Sequence, residues 1–144
     1  MNDTFKRDLS NGKLIEYKHL AILQKIFPDT VSIDGYCKEW DIFIPSLDIG
    51  IEIKSDKMSQ TTGNIVVEVE FNGKPSALST TKSSWWVFDT GKEHMVVHVD
   101  RLRELVKQFN PVSFIGKGDS KSKKAYLIPI DMVRDIKNNW YDEV

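Results

Sequence analysis

Between residues 31 and 99 the chain alternates apolar and polar positions in short runs, the period-two pattern of strands with one buried face. Residues 31–34, 40–44, 49–54 and 64–71 read as strands, followed by 85–88 and 94–99, with Gly35, Gly63, Gly73 and Gly91 in the turns. Before and after this block the period is helical. Residues 11–27 (NGKLIEYKHLAILQKIF) carry apolar positions three and four apart, with Asn11 as N-cap and Pro28-Asp29 as stop. At about 100° per residue Leu20, Leu23 and Phe27 share a side with Glu16, while Lys18 and Lys25 fall opposite, so Glu16 points inward. A second helix is expected over 100–109, capped by Asp100 and closed by Asn110-Pro111, and a third opens at Asp131. Between them GKGDSKSKK (116–124), flanked by SFI and AYLIPI, reads as a hairpin with a basic tip.

The tightest constraint lies in WDIFIPSLDIGIEIKSD, residues 40–56. With Ser46 and Leu47 in the turn, or in a somewhat longer loop, Ile44 meets Ile49, Ile42 meets Ile51 and Trp40 meets Ile53. A slip of one residue would turn this whole apolar set to the wrong face. The same register sets Asp41 against Glu52, Phe43 against Gly50 and Glu39 against Lys54. Like charges so placed cost roughly 0.2–1 kcal/mol, and a divalent cation between them reverses the sign. Mg²⁺ suits such a pair, because it takes oxygen ligands from one or two carboxylates and keeps waters and phosphate oxygens for the rest. Gly50 opposite Phe43 leaves open surface beside the carboxylates, and Lys54 lies one step along the face of Glu52. An ammonium there can hold a nucleophilic water or offset transition-state charge. A solvated sheet face, with Lys54 bridging Glu39 and Glu52, is the competing reading.

Composition narrows the setting. The 144 residues, 40% hydrophobic and 28% charged, suit a single domain over 1–144 with one core. Twenty basic against twenty-one acidic residues give a net charge of -1, so any polyanion must be held by local patches. No apolar run could cross a bilayer and the first ten residues lack the apolar centre of a signal peptide, so a cytoplasmic protein without membrane contact is expected. The single Cys37 fits a reducing compartment.

Asp41, followed after ten residues by Glu52-Ile53-Lys54, resembles the PD-(D/E)xK motif of the restriction-endonuclease-like nuclease superfamily, with Trp40 where the motif has proline. Glu16 is similar in place to the acidic residue that many members carry on the first helix, Holliday-junction resolvases and related phage enzymes among them. Residues 61–88 also resemble segments of small phage-encoded proteins of this fold. The resemblance implies an α/β restriction-endonuclease-like core, a central mixed β-sheet flanked by helices in the order αβββαβ. It implies a Mg²⁺- or Mn²⁺-dependent nuclease acting on DNA, in the host cytoplasm if phage-encoded, with a homodimer as a common arrangement. Asp41, Glu52 and the Ile53 carbonyl would hold the metal, Lys54 would position the attacking water and Glu16 would complete the acidic cluster. A catalytically inactive relative that binds DNA or a host protein is the alternative, and a structural protein with an acidic interaction face is a further one. The second core helix of the family has no clear counterpart, because residues 75–84 are few and poor in helix formers.

Other residues enter by position. Glu68 and Asn64 would line the same cleft if 64–71 pairs beside 49–54, and simple solvent exposure competes with that. Lys74 and Lys82 flank the cleft, and Lys117, Lys121, Lys123 and Lys124 on the basic hairpin could clamp phosphates or merely be solvated. His94 and His98 stand about 13 Å apart along a strand, and His19 lies on a distant helix, so no shared metal or triad is expected. Trp85 and Trp86 point to opposite faces; core packing is the default for both, with stacking of the outer one on a base or a second subunit as the alternative.

Overall fold

A computed structural model describes residues 3–34, 39–115 and 121–141, with 3–11 and 141 in backbone only. The chain opens with α1 (Asp3–Ile26), then β1 (Val31–Ser32), β2 (Ile42–Ile44) and β3 (Ile49–Ser55). A short α2 (Ser59–Thr62) leads into β4 (Asn64–Phe71) and β5 (Lys74–Pro75), and then β6 (Trp85–Asp89) and β7 (His94–His98) follow. The last part holds α3 (Val99–Val106), β8 (Val112–Ile115), β9 (Ser122–Pro129) and α4 (Ile130–Ile136). Among the described residues this is an α/β protein with four helices, a mixed five-strand sheet ordered β1-β2-β3-β6-β7 and an antiparallel four-strand sheet ordered β5-β4-β9-β8. No helix among them is long and apolar enough to cross a membrane.

The first helix begins well upstream of Asn11, which lies inside it and is not its cap. Asn and Gly weaken a helix interior, by up to about 1 kcal/mol for Gly, without forbidding it. Its end is where the proline places it. Thr30 closes the turn, with its N–H and its hydroxyl both donating to the Phe27 carbonyl. The second long helix is capped by His98, whose Nδ1 accepts from the Asp100 N–H, and not by Asp100.

The β2–β3 register is the one that apolar matching demands: Ile42 with Ile51, Phe43 with Gly50, Ile44 with Ile49. Its turn is a 3₁₀ turn over Pro45–Leu47 closed by Asp48 in the left-handed region, and the Asp29 carboxylate accepts from the Ser46 N–H and hydroxyl. The ladder stops at Ile42. Asp41 donates its N–H to the Ile51 carbonyl, and Trp40 crosses to the opposite face from the one expected, away from Ile53. There its ring stacks on Phe43 at 4.6 Å and covers Gly50, so the surface read as open is filled. A Cβ on Gly50 would lie 1.6 Å from Trp40 Cδ1. Gly50→Ala should therefore expel the indole and cost about 1–3 kcal/mol. Thermal melts with tryptophan fluorescence check this, and an unchanged melt with an unchanged spectrum contradicts it.

Two cores sit on the two faces of the mixed sheet. Leu23 of α1 packs with Ile42, Ile44, Ile51, Val87 and Val96 on one side. On the other, Trp86, Phe88, Met95 and Val97 meet Ile65, Val67 and Ile128 of the second sheet, with Leu102, Leu105 and Val133 from α3 and α4. Each fully buried side chain of this size contributes about 1.5–3 kcal/mol. The strand after β3 is not its neighbour: β4 pairs with β9 and β5, while β3 pairs in parallel with β6. A parallel pair needs a crossover of a dozen residues or more. Residues 56–84 supply it with α2, the β4–β5 hairpin and a 3₁₀ turn, where the family pattern would have a core helix.

Candidate functional site

Alternation along β3 decides which side chains can meet. Ile51 and Ile53 pack toward α1, so Glu52 and Lys54 face the Trp86 side of the sheet. Lys54 Nζ lies 3.9 Å from Glu52 Oε2 and 5.2 Å from the centre of the Trp86 ring, which its charge faces. Asp41 is 8% exposed, and its Oδ2 accepts from the Ile53 N–H at 2.8 Å. A carboxylate oxygen thus takes over where the β2 ladder ends. Asp41 and the Glu52-Ile53-Lys54 strand are in direct contact, through a side chain on a backbone N–H.

Glu16 is half-buried on α1, across the sheet from the face of Glu52. Among the described residues no three His, Cys, Asp or Glu side chains are gathered as a metal-holding group. The pairing that would have put Asn64 and Glu68 beside β3 is not formed: they stand opposite Pro129 and Ala125 in the second sheet. Their place in the cleft went with it, because strand alternation shows a buried face but not which sheet it joins.

A cavity of about 200 Å³ opens beside Glu52, lined also by Glu39, Ala77, Thr80, Thr81 and Lys82. Lys82 Nζ is 3.1 Å from Glu39 Oε1 at its rim, and the Trp40 indole N–H donates to the Lys82 carbonyl. Lys74 is exposed on β5. The expected basic hairpin forms, β8 pairing with β9. Lys121 lies over the Phe71 ring, Lys124 is 3.7 Å from Glu70, Lys123 pairs with Phe114 in the ladder, and Lys117 lies outside the described residues. Both tryptophans of the pair are packed: Trp86 is buried, and Trp85 stands edge-on to Trp140 and His98.

Sequence reasoning missed a second polar cluster at the carboxyl ends of the parallel strands. Asp89 ends β6, buried, and its Oδ2 accepts from His19 Nε2 at 2.8 Å and Lys18 Nζ at 2.9 Å, while Oδ1 accepts from the Gly91 N–H. Its carbonyl accepts from the Asp56 N–H, and Asp56 in turn holds the N–H groups of Ser59 and Val66. The His19 and His94 rings, expected far apart, are 5.3 Å apart edge to face. Burial holds His19 below the usual imidazole range against the pull of Asp89. Burial opposes the charge on Asp89 too, but hydrogen bonds from Lys18, His19 and the Gly91 N–H outweigh it and hold its carboxyl below the usual range. The available signal was that His19 is one turn from Glu16, on the same inward stripe.

No protein family, no curated protein and no solved structure matches this chain in comparisons with known proteins.

Proposed function

We propose that the chain is a metal-dependent deoxyribonuclease of the PD-(D/E)xK type, built on a restriction-endonuclease-like core. The observation that carries this reading is the contact of the Asp41 carboxylate with Ile53 between Glu52 and Lys54, on a hairpin whose register is set by its isoleucines. The surrounding order supports it: α1 against one face, the β1–β2–β3 antiparallel run, then β6 parallel to β3.

By chemical type these donors are those of a hard divalent cation. Carboxylate oxygens from Asp41 and Glu52 with a backbone carbonyl at Ile53 suit Mg²⁺ or Mn²⁺, and at 3.9 Å the Lys54 ammonium is not locked to Glu52 by a hydrogen bond. When bound, such an ion supplies polarisation of the scissile phosphate and acidification of a water. Asp41 and Glu52 would hold the ion, with the Asp41 carboxylate fixed by the Ile53 N–H. Lys54 steadies the negative charge that develops on the phosphate and orients the attacking water. Glu16, on α1 across the sheet from Glu52, is given no part in holding the ion.

Supercoiled, linear, single-stranded and branched DNA incubated with Mg²⁺ or Mn²⁺ tests the reading. Cleavage by the native chain is expected, falling by roughly 10²–10³-fold in Lys54→Ala, the scale of losing one transition-state charge partner. Cleavage unaffected by that change removes the site, and DNA binding with no cleavage by the native chain selects the non-catalytic alternative.

A further inference from the structure

Local costs concentrate in residues 76–84, of which Ala77, Thr80, Thr81 and Lys82 line the Glu52 cavity. Ala77 has φ 47°, a left-handed conformation that a side chain with a Cβ rarely adopts. The hydroxyls of Ser76 and Ser83 are buried with no hydrogen-bond partner among the described residues. Strained backbone and unpaired buried polar groups persist where the rest of the structure holds them, and they gather at functional sites. This wall is anchored from three sides. Thr81 Oγ1 accepts from the Trp86 indole N–H, the Lys82 carbonyl accepts from Trp40, and the Ser84 N–H donates to the Gly50 carbonyl.

The anchoring fixes the backbone of Lys82 and leaves its side chain at the rim. Its ion pair with Glu39 is 3.1 Å long with both side chains largely in water, 67% and 48% exposed. Pairs so exposed are weak and screened by salt, so another anion can take the carboxylate's place. Thr80 adds an exposed hydroxyl on the same wall. We infer that Glu39 and Lys82 form an exchangeable gate: a backbone phosphate of a bound nucleic-acid strand displaces Glu39 from Lys82, with the Thr80 hydroxyl as second donor. This rests on reading the Glu52 cavity as a nuclease site, and it adds a determinant of substrate binding distinct from the metal-holding residues. Glu39 is thereby a competitor of the substrate. Removing it should strengthen binding through Lys82 alone.

A double-mutant cycle tests this with a short fluorescent DNA duplex and Ca²⁺, so that binding is read without cleavage. Lys82→Ala should weaken binding roughly tenfold at low salt and reduce the slope of log affinity against log salt by about 0.9. Glu39→Gln should tighten binding severalfold, and that gain should vanish in the Lys82→Ala background. Both side chains are exposed, and thermal melts verify that the variants fold. A gain from Glu39→Gln that persists without Lys82 is a general charge effect and overturns the gate. So does an unchanged affinity in both single variants, or a native chain that binds no duplex. Plasmid cleavage measured alongside separates the two ideas: cleavage with an uncoupled cycle sinks the gate alone, whereas a coupled cycle without cleavage sinks the nuclease reading alone.

Discussion

Asp41→Asn is expected to lower Mg²⁺-dependent DNA cleavage by at least about a hundredfold, roughly 2.7 kcal/mol of transition-state stabilisation, while leaving the fold intact. The amide oxygen can still accept from the Ile53 N–H, so the end of the β2 ladder keeps its bond. What is lost is the negative charge that would hold the cation. Asp41→Ala separates the two roles, because it removes the charge and also leaves the Ile53 N–H without its acceptor in a mostly buried place. That should cost about 1–3 kcal/mol of stability on top of the same loss of cleavage. Melting curves and initial rates on supercoiled plasmid distinguish the variants. Full cleavage by Asp41→Asn would remove Asp41 from the site, and equal melting of Asp41→Ala and the native chain would remove its structural part.

Asp89→Ala should be the most damaging single change to stability among the polar residues described, costing about 3 kcal/mol. Three donors lose their acceptor at once: the ring N–H of fully buried His19, the Gly91 N–H and the Lys18 ammonium. Lys18 is half in water and can be resolvated, which keeps the figure below the full penalty for breaking a buried pair. The native chain should also lose stability toward acid in two stages, and both have the same sign. Because His19 is held below its ordinary value of about 6.5, the unfolded chain takes up that proton first, and stability falls as pH drops below that value. Asp89 is held below the usual carboxylate value of about 3.9, so its contribution is present above that pH and is lost as pH falls through its folded value. A melting temperature that stays level from neutral pH to mild acid would contradict the first stage. Denaturant titration of Asp89→Ala at neutral pH measures the other claim, and a midpoint equal to the native one would refute it.

Much of the mixed sheet is written in nearest-neighbour pattern. The isoleucines at 42, 44, 49 and 51 can all be buried together in one hairpin register, and that register is the observed one. The strand over 64–71 has the limits that its alternation predicts, and the hairpin of β8 and β9 follows from two apolar pieces around a polar tip. Glu16 is on the inward stripe of α1 because helical phase needs nothing beyond local spacing. The same register carries Asp41 to the strand of Glu52 and Lys54, but the expected pairing of Asp41 with Glu52 is not part of the ladder, which ends at Ile42 and Ile51 and leaves the Asp41 carboxylate on the Ile53 N–H.

Long-range choices were not readable from local spacing. Alternation shows that β4 has a buried face, but both sheets offer an apolar surface, and only the packed fold decides that β9 takes it and that Glu68 leaves the cleft. Trp40 changed faces where the regular register ends: Asp41 keeps its N–H on the Ile51 carbonyl while its carboxylate takes the Ile53 N–H. His19 and Asp89 are seventy residues apart in the chain, and an aspartate before a Thr-Gly turn looks like an ordinary turn residue until the helix is laid across the strand ends. Local sequence sets the phase of each helix and strand because neighbouring side chains must point where the backbone period sends them. Partnership between distant elements is settled by which buried surfaces and polar groups satisfy one another in three dimensions.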